Sequence, residues 1–411
     1  MQKLKNNNFI WYSLGVIFNC LNSFLFMIIV TRINGLNDAG IFTYSYSLCC
    51  LFYFLEMYFN RPYQLSKDNK ESIFNDLLST RVVSSILGLV IIFIFSLISK
   101  FSLFKITVII LLYLFRDIEA ISDTIHGVFH AKDKLYISGK ALLIRAIISD
   151  IALLVIDLIT HDLIISLIGV IILNLLVVYL YDYKNFKKIS NFKIKLSFKE
   201  NTVNILRESF ALFIYSFLNN MLANIQRYVL TYYVTSDVES IFGIIIMPAT
   251  VMSLVSICIM NPFLNKFNKY KKEHNYKSMT HLLINIIVCL IVILIIGLVG
   301  CYFLGVPVLE LVYGVELDEY KISLLLIIVA SVFSAIVAVY STILTLLGKY
   351  TVQLIIHIVC VIVSLILSWL LIVSSGIHGA VTSYLISLFI YFVIYTIVYF
   401  IVIRRLSNDK S

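Results

Sequence analysis

Charge is what this chain has least of. Only 13% of its residues are Asp, Glu, Lys or Arg, where a soluble domain carries about 25%; a soluble globular protein of this length is excluded. A G-x-x-x-x-G-K-[ST] loop is absent from the sequence, so it carries no recognisable ATPase of its own. It holds seven cysteines (Cys20, Cys49, Cys50, Cys258, Cys289, Cys301 and Cys360), all inside apolar runs. Neither a disulfide framework nor a zinc spacing can be drawn through them, and they read as small apolar filler. The first apolar run, Phe9–Thr31, is too long for a signal-peptide core and lacks a small-residue cleavage site, which makes it a first span.

What is present in excess is apolar sequence. Of 411 residues 61% are hydrophobic, and they come in runs of roughly 20, the length that crosses a bilayer as a helix. Twelve spans are predicted: 9–31, 39–60, 79–99, 103–124, 140–159, 163–181, 208–234, 240–262, 280–304, 321–347, 351–374 and 379–402. The expected fold is therefore an all-α polytopic membrane protein. The net charge of +9 says nothing for nucleic acid, because the basic residues gather in alternate connections: Arg61–Arg81, His130–Lys140, Asp182–Arg207 and Asn265–Lys277. The other connections, such as Arg32–Asp38, Thr160–Asp162 and Ser375–His378, are short and poor in Lys and Arg. By the positive-inside rule both termini lie in the cytoplasm, and a tag at Ser197 should report from that side.

The chain also looks doubled. VTRINGLNDAGIF (Val30–Phe42) follows the first span and VTSDVESIF (Val234–Phe242) the seventh. Gly139-Lys140 opens the fifth span and Gly348-Lys349 precedes the eleventh. An internal repeat of six spans gives halves of equal orientation. Such an arrangement places a substrate site between the halves near midplane. The expected organisation is an N-terminal six-helix lobe (1–182), a cytoplasmic linker (183–207) and a C-terminal six-helix lobe (208–411).

Polar residues at membrane depth are costly and face a bundle interior or a water-filled cavity. Arg116, Glu119 and Asp123 fall on one stripe of the fourth span. Asn220, Asn224 and Arg227 form a second stripe in the seventh, and Asn19, Asn22 and Ser23 a milder one in the first. Arginine suits phosphate because it stays charged and offers a planar fork of donors. The competing readings stay open here: Arg116 pairs with Glu119 or Asp123, Arg227 snorkels outward, and the asparagines bond between helices. Arg145, near the inner end of the fifth span with Asp150 and Asp157 further along, either guides an anionic headgroup or anchors the helix. Glu56 is a candidate protonatable coupling site or a local partner of Arg61; Asp123 and Asp150 are further coupling candidates. His126 and His130 stand four residues apart, but no third ligand accompanies them. Pro248 is expected to bend the eighth span.

At these residues the sequence resembles the polysaccharide repeat-unit flippases, the Wzx-like branch of the MOP exporter superfamily. The resemblance runs over the whole chain. Locally it rests on TRINGLNDAGIF, on RPYQLSKD (Arg61–Asp68) and on AISDTIHGVFHAKDKLYISGKALLIRAI (Ala120–Ile147). ANIQRYVL (Ala223–Leu230), GVPVLELVYGVELDEY (Gly305–Tyr320) and SGIHGAV (Ser375–Val381) support it. It implies a MATE/MOP-like pair of pseudo-symmetric lobes in a bacterial cytoplasmic (inner) membrane. By that resemblance the chain moves an undecaprenyl-pyrophosphate-linked repeat unit of an O-antigen, capsule or exopolysaccharide outward by alternating access. No cofactor is implied beyond a coupling ion, H+ or Na+. The implied partners are the lipid-linked oligosaccharide, membrane lipids, and a glycan polymerase with its chain-length regulator. The two lipid II flippase spans beyond the twelfth are not found. A MATE-like multidrug or cation antiporter is the nearest rival, expected to line its cavity with acids. A membrane-embedded glycan-assembly enzyme is another, but the longest outer connection, Gly305–Tyr320, offers acids and no histidine.

Overall fold

The fold follows from where the apolar runs are allowed to stop. The computed structural model describes residues 2–57, 74–190, 196, 200–250, 252 and 263–408, and among these every regular element is helical. The spans are α1 (Gln2–Ile33), α2 (Leu36–Met57), α3 (Phe74–Ile98), α4 (Leu103–Ala131), α5 (Leu135–Thr160) and α6 (Leu163–Val177). They continue with α7 (Glu200–Leu230), α8 (Ser236–Ile245), α9 (Tyr276–Gly300) and α10 (Lys321–Leu346). The last helical stretch, Tyr350–Asn408, is broken at Gly376, where φ is 54° and ψ is −124°. Only glycine adopts that conformation freely, so the stretch counts as two spans, α11 before the break and α12 after it. The motif Arg61–Asp68, Ser197, and residues 253–262 of the eighth predicted span lie outside the described residues.

Helix ends are set by local chemistry. Ser102 caps α4 by accepting from the Lys105 amide (3.3 Å), and Asp162 caps α6 by accepting from the amides of Ile164 and Ile165 (2.8 and 3.1 Å). Asp157, buried near the end of α5, accepts from Asn34 in the α1–α2 turn and from Ser166 of α6, each at 3.1 Å. It thereby ties three elements at one end of the bundle.

Six helical stretches are long and apolar enough to cross a membrane on length and hydropathy alone. The fourth span fails that test because Lys105, Arg116, Asp117, Glu119 and Asp123 all sit on α4. Large apolar side chains such as Ile86, Val90, Ile94 and Leu97 of α3 point outward, as a lipid-facing surface requires. The chain is a multi-pass membrane protein.

Two compact units emerge, Met1–Asn220 and Met221–Ser411. In the first, α1 packs along α5, while α4 is embraced by α2, α3 and α6. The α1–α5 approach is backbone to backbone. A Cβ on Gly139 would strike the main chain of Trp11, and one on Gly15 the carbonyl of Gly139. In the second unit α10 packs on the α11–α12 stretch and on α9. The Gly-Lys match in the proposed repeat joins unlike places: Gly139 lies within α5, whereas Gly348 (φ 75°) makes the turn between α10 and α11.

Candidate functional site: buried cations of the first unit

Three arginines are drawn into the interior of the first unit, each with a different set of partners. Arg116 stands on the polar stripe of α4. Its Nη1 donates to Glu119 at 2.6 Å and its Nη2 to the Tyr46 hydroxyl at 2.6 Å, with Cys50 Sγ 3.2 Å away. Its guanidinium also lies 4.7 Å from the Tyr46 ring centre and 5.5 Å from that of Tyr53. The stripe predicted for Arg116, Glu119 and Asp123 is therefore divided among neighbours. Glu119 takes Arg116 on one oxygen and Asn19 Nδ2 on the other (2.7 Å). Asp123 lies 3.5 Å from Arg81 of α3.

Arg81 is the arginine that sequence reasoning missed. It is wholly buried, donating to the Glu56 carbonyl (2.7 Å) and to Thr124 Oγ1 (3.3 Å). It binds the Glu56 carbonyl in the last turn of α2, where the helix dipole favours a cation, and through Thr124 fixes α2 to α4. Beside it Glu56 is buried near the Tyr113 hydroxyl, and among the described residues neither of its carboxyl oxygens has a donor in hydrogen-bond geometry. Neighbouring Tyr113 donates its hydroxyl to the Ser85 carbonyl at 2.7 Å.

Arg145 of α5 is the third. It is buried, and its Nε finds no acceptor among the described residues. Together with Asn19, Asn22, Phe115, Glu119, Ser149 and Asn174 it lines a polar cavity of about 10 Å³, room for about one water molecule. Asn174 donates to Ser149 at 2.7 Å across the cavity wall. Arg145 lies within electrostatic reach of two carboxylates, Glu119 on the cavity wall and Asp182, which is not among the lining residues. The structure thus brings Asn19, Asn22, Glu119 and Arg145 together, with Arg116 one bond away behind Glu119. Asp150 sits half-buried on α5, apart from the residues lining this cavity.

His126 does not approach a metal set. Its Nε2 lies 3.3 Å from Asp182 Oδ1 and 3.3 Å from Ser122 Oγ, while Ser122 donates to Asp182 Oδ2 at 2.6 Å. Among the described residues no group of three His, Cys, Asp or Glu is placed to hold a metal ion. Asp182 lies in a π-helical turn (Val178–Tyr183) that continues α6, a local distortion frequent at functional sites.

In the second unit Asn224 and Arg227 are half-buried on α7, with Asn220 one turn earlier on the same helix face. Arg227 lies within electrostatic reach of the buried Tyr384 on α12. Neighbouring Gln226 is buried and donates to Ser364 at 3.3 Å. A separate polar layer joins Gln353, His357, Tyr391 and Tyr395. Its His357–Tyr391 contact is 2.6 Å, and Gln353 Oε1 accepts from Ser341 at 2.7 Å. Its members satisfy one another, which marks them as bonds between helices.

The path of these helices matches that of a known transporter class. The chain superposes with a TM-score of 0.73 on an inward-facing multidrug-resistance MATE transporter of the MOP superfamily, covering 98% of this chain and 100% of that one at 12% identity. The fold is that of the MOP-superfamily transporters. It is also similar to the lipid II flippase MurJ (TM-score 0.70, 15% identity, 94% of this chain and 86% of that one). A third MOP-superfamily transporter of like fold comes from Pyrococcus furiosus and is described as having a binding pocket of reversed polarity (TM-score 0.63, 13% identity, 98% and 96% covered). In sequence the chain is 25% identical over 382 residues to the capsular polysaccharide biosynthesis protein CapF of Staphylococcus aureus, spanning 91% of this chain and 93% of that protein. No family model matches. The resemblance drawn from the motifs and the MOP-type fold thus agree.

Proposed function

We propose that this chain is a flippase for a lipid-linked oligosaccharide. Its cargo is an undecaprenyl-pyrophosphate-linked repeat unit, moved from the cytoplasmic to the outer leaflet of a bacterial inner membrane by alternating access. The observation that carries the reading is Arg145: a buried guanidinium whose Nε has no acceptor among the described residues, on the wall of an asparagine-lined cavity. Glu119 and Asp182 lie within electrostatic reach of this cation, but its buried Nε–H still lacks an acceptor, which is costly to leave unmet, and a planar fork of donors matches a phosphate. In a more open state of this cavity, which here has room for about one water, its asparagines and Ser149 would exchange their present bonds for bonds to sugar hydroxyls. Arg116 acts behind Glu119, orienting it, and Arg227 with Asn220 and Asn224 supplies a second cationic stripe on α7. The 25% identical capsule-biosynthesis relative supports the substrate class.

Charge gives the direction. Each negative charge moved across the bilayer is worth about 2.3 kcal/mol per 100 mV, so an unneutralised pyrophosphate runs outward downhill. To the extent that arginine cancels that charge, a coupling ion must supply the drive. Glu56 is the first candidate for a coupling proton, since a carboxyl this deeply buried is tolerated far better with its proton than as an ion. Asp150 is second; Asp123 is held by Arg81. The same Glu56 also favours a second reading, a cation antiporter like the MATE neighbour. An enzyme of glycan assembly draws no comparable support, because Glu310 in the outer connection accepts from the Leu317 amide (2.7 Å) and closes its own loop.

The test is export of surface glycan in a strain whose repeat-unit flippase is deleted and replaced by this chain. Arg145→Ala should abolish export while the protein still reaches the membrane, and Glu56→Gln should leave residual export. Glycan export unaffected by Arg145→Ala, with drug efflux lost on Glu56→Gln, would favour the antiporter.

A further inference from the structure

Among the described residues, Glu119 and Asp182 are both within electrostatic reach of Arg145, and of these two Glu119 lines the cavity. The other, Asp182, is fully buried between α4 and α5 on its π-helical turn. From α4 it receives the Ser122 hydroxyl at 2.6 Å and the His126 ring at 3.3 Å; from α5 it feels Arg145; Tyr181 is its neighbour on its own turn. His126 is itself buried, its ring against Phe129 at 6.0 Å between centres.

We infer that the His126–Asp182 pair is a proton-binding site that sets how much of the Arg145 charge is offered to an anion in the cavity. The inference rests on the reading of Arg145 as a phosphate ligand. With His126 neutral, Asp182 is a net negative charge that draws the Arg145 field away from the cavity. When His126 takes up a proton, the pair becomes neutral overall and the Arg145 charge is balanced only by Glu119, which Arg116 and Asn19 already engage. Proton uptake and anion binding then favour one another, and by linkage the effect is reciprocal. The proton on His126 moves to no other atom, so the pair works by charge alone. Histidine is suited to this because it changes charge between about pH 5 and 8. The linkage is of the co-binding kind: the anion binds together with a proton instead of displacing one.

The probe is farnesyl pyrophosphate, binding to the full-length protein in nanodiscs at pH 5.5 and pH 8. Because pyrophosphate itself gains charge as pH rises, each variant is compared with wild type at both values. Relative to His126→Gln, wild type should bind about five- to tenfold more tightly at pH 5.5 than at pH 8. It should also take up protons from solution on binding, where His126→Gln takes up none beyond the ligand's own. Asp182→Asn, which keeps an acceptor for Ser122 and loses the charge, should bind at both pH values as wild type does at pH 5.5. If His126→Gln fails to fold, Asp182→Asn decides alone. Equal pH dependence in wild type and in the folded variants overturns the inference while binding that Arg145→Ala abolishes leaves the flippase reading standing. Absence of binding by wild type, or binding indifferent to Arg145→Ala, overturns both.

Discussion

Replacing Arg81 by alanine should be among the most damaging single changes in the first unit, although Arg81 does not line the cavity around Arg145. Its guanidinium meets the Glu56 carbonyl at 2.7 Å, Thr124 at 3.3 Å and Asp123 at 3.5 Å, with essentially no exposure. Breaking a buried ion pair by removing one member costs about 3–5 kcal/mol. Asp123 keeps 20% of its side-chain surface exposed, so part of that cost is relieved by solvent and about 3 kcal/mol is expected. In a unit of this size such a loss lowers the melting temperature by about 6–12 °C. Heating the detergent-solubilised protein with a thiol-reactive dye reads this directly, since Cys49 is fully buried on α2, its thiol donating to the Ile109 carbonyl of α4. Arg81→Ala with Asp123→Ala should be clearly less damaging than the sum of the two single changes, because the orphaned charge is gone. A melting point within about 2 °C of wild type, or strict additivity in the double variant, would refute the pairing.

Gly139→Val should separate α1 from α5, since any side chain there meets the Trp11 backbone; overpacking of about 1–3 kcal/mol should show as reduced folded yield in size-exclusion chromatography. Asp157→Ala should loosen the α1–α2 turn by removing the acceptor for Asn34 and Ser166, lowering the melting temperature by a few degrees; no change would mean the turn holds itself. For topology, a cysteine at Lys271 should resist an impermeant maleimide added outside intact cells, and one at His161 should react. The reverse labelling would invert the proposed orientation.

The spans were legible because period and length alone decide whether a run can cross a bilayer, and the α11–α12 boundary because Ser375–His378 interrupts it. The division of partners among α4's charges was not legible. Spacing places Arg116, Glu119 and Asp123 on one stripe, but which neighbour each meets depends on the rotation of α1, α2 and α3, and nothing in one helix encodes that. Arg81 was hidden for a related reason. It stands at the edge of a basic connection, where a cation reads as a topology signal; the serines and threonine around it (Ser79, Thr80, Ser84, Ser85) were the available hint that this end of α3 is buried. Asp182 was likewise absorbed into a polar connection, and its π-helical turn has no sequence signature. Arg145 was singled out near the inner end of its span as a headgroup guide or an anchor, but only the packing of α1, α4 and α6 around it turned an isolated charge into a lined cavity.

The account stands or falls on whether the buried guanidinium of α5 meets the substrate's phosphates. In vesicles reconstituted with purified protein, transfer of an undecaprenyl-pyrophosphate-linked oligosaccharide between leaflets should be accelerated by wild type. Arg145→Ala should lose that acceleration by at least about tenfold and Arg145→Lys should recover only part of it. Transfer at the wild-type rate by a folded Arg145→Ala protein would contradict the account.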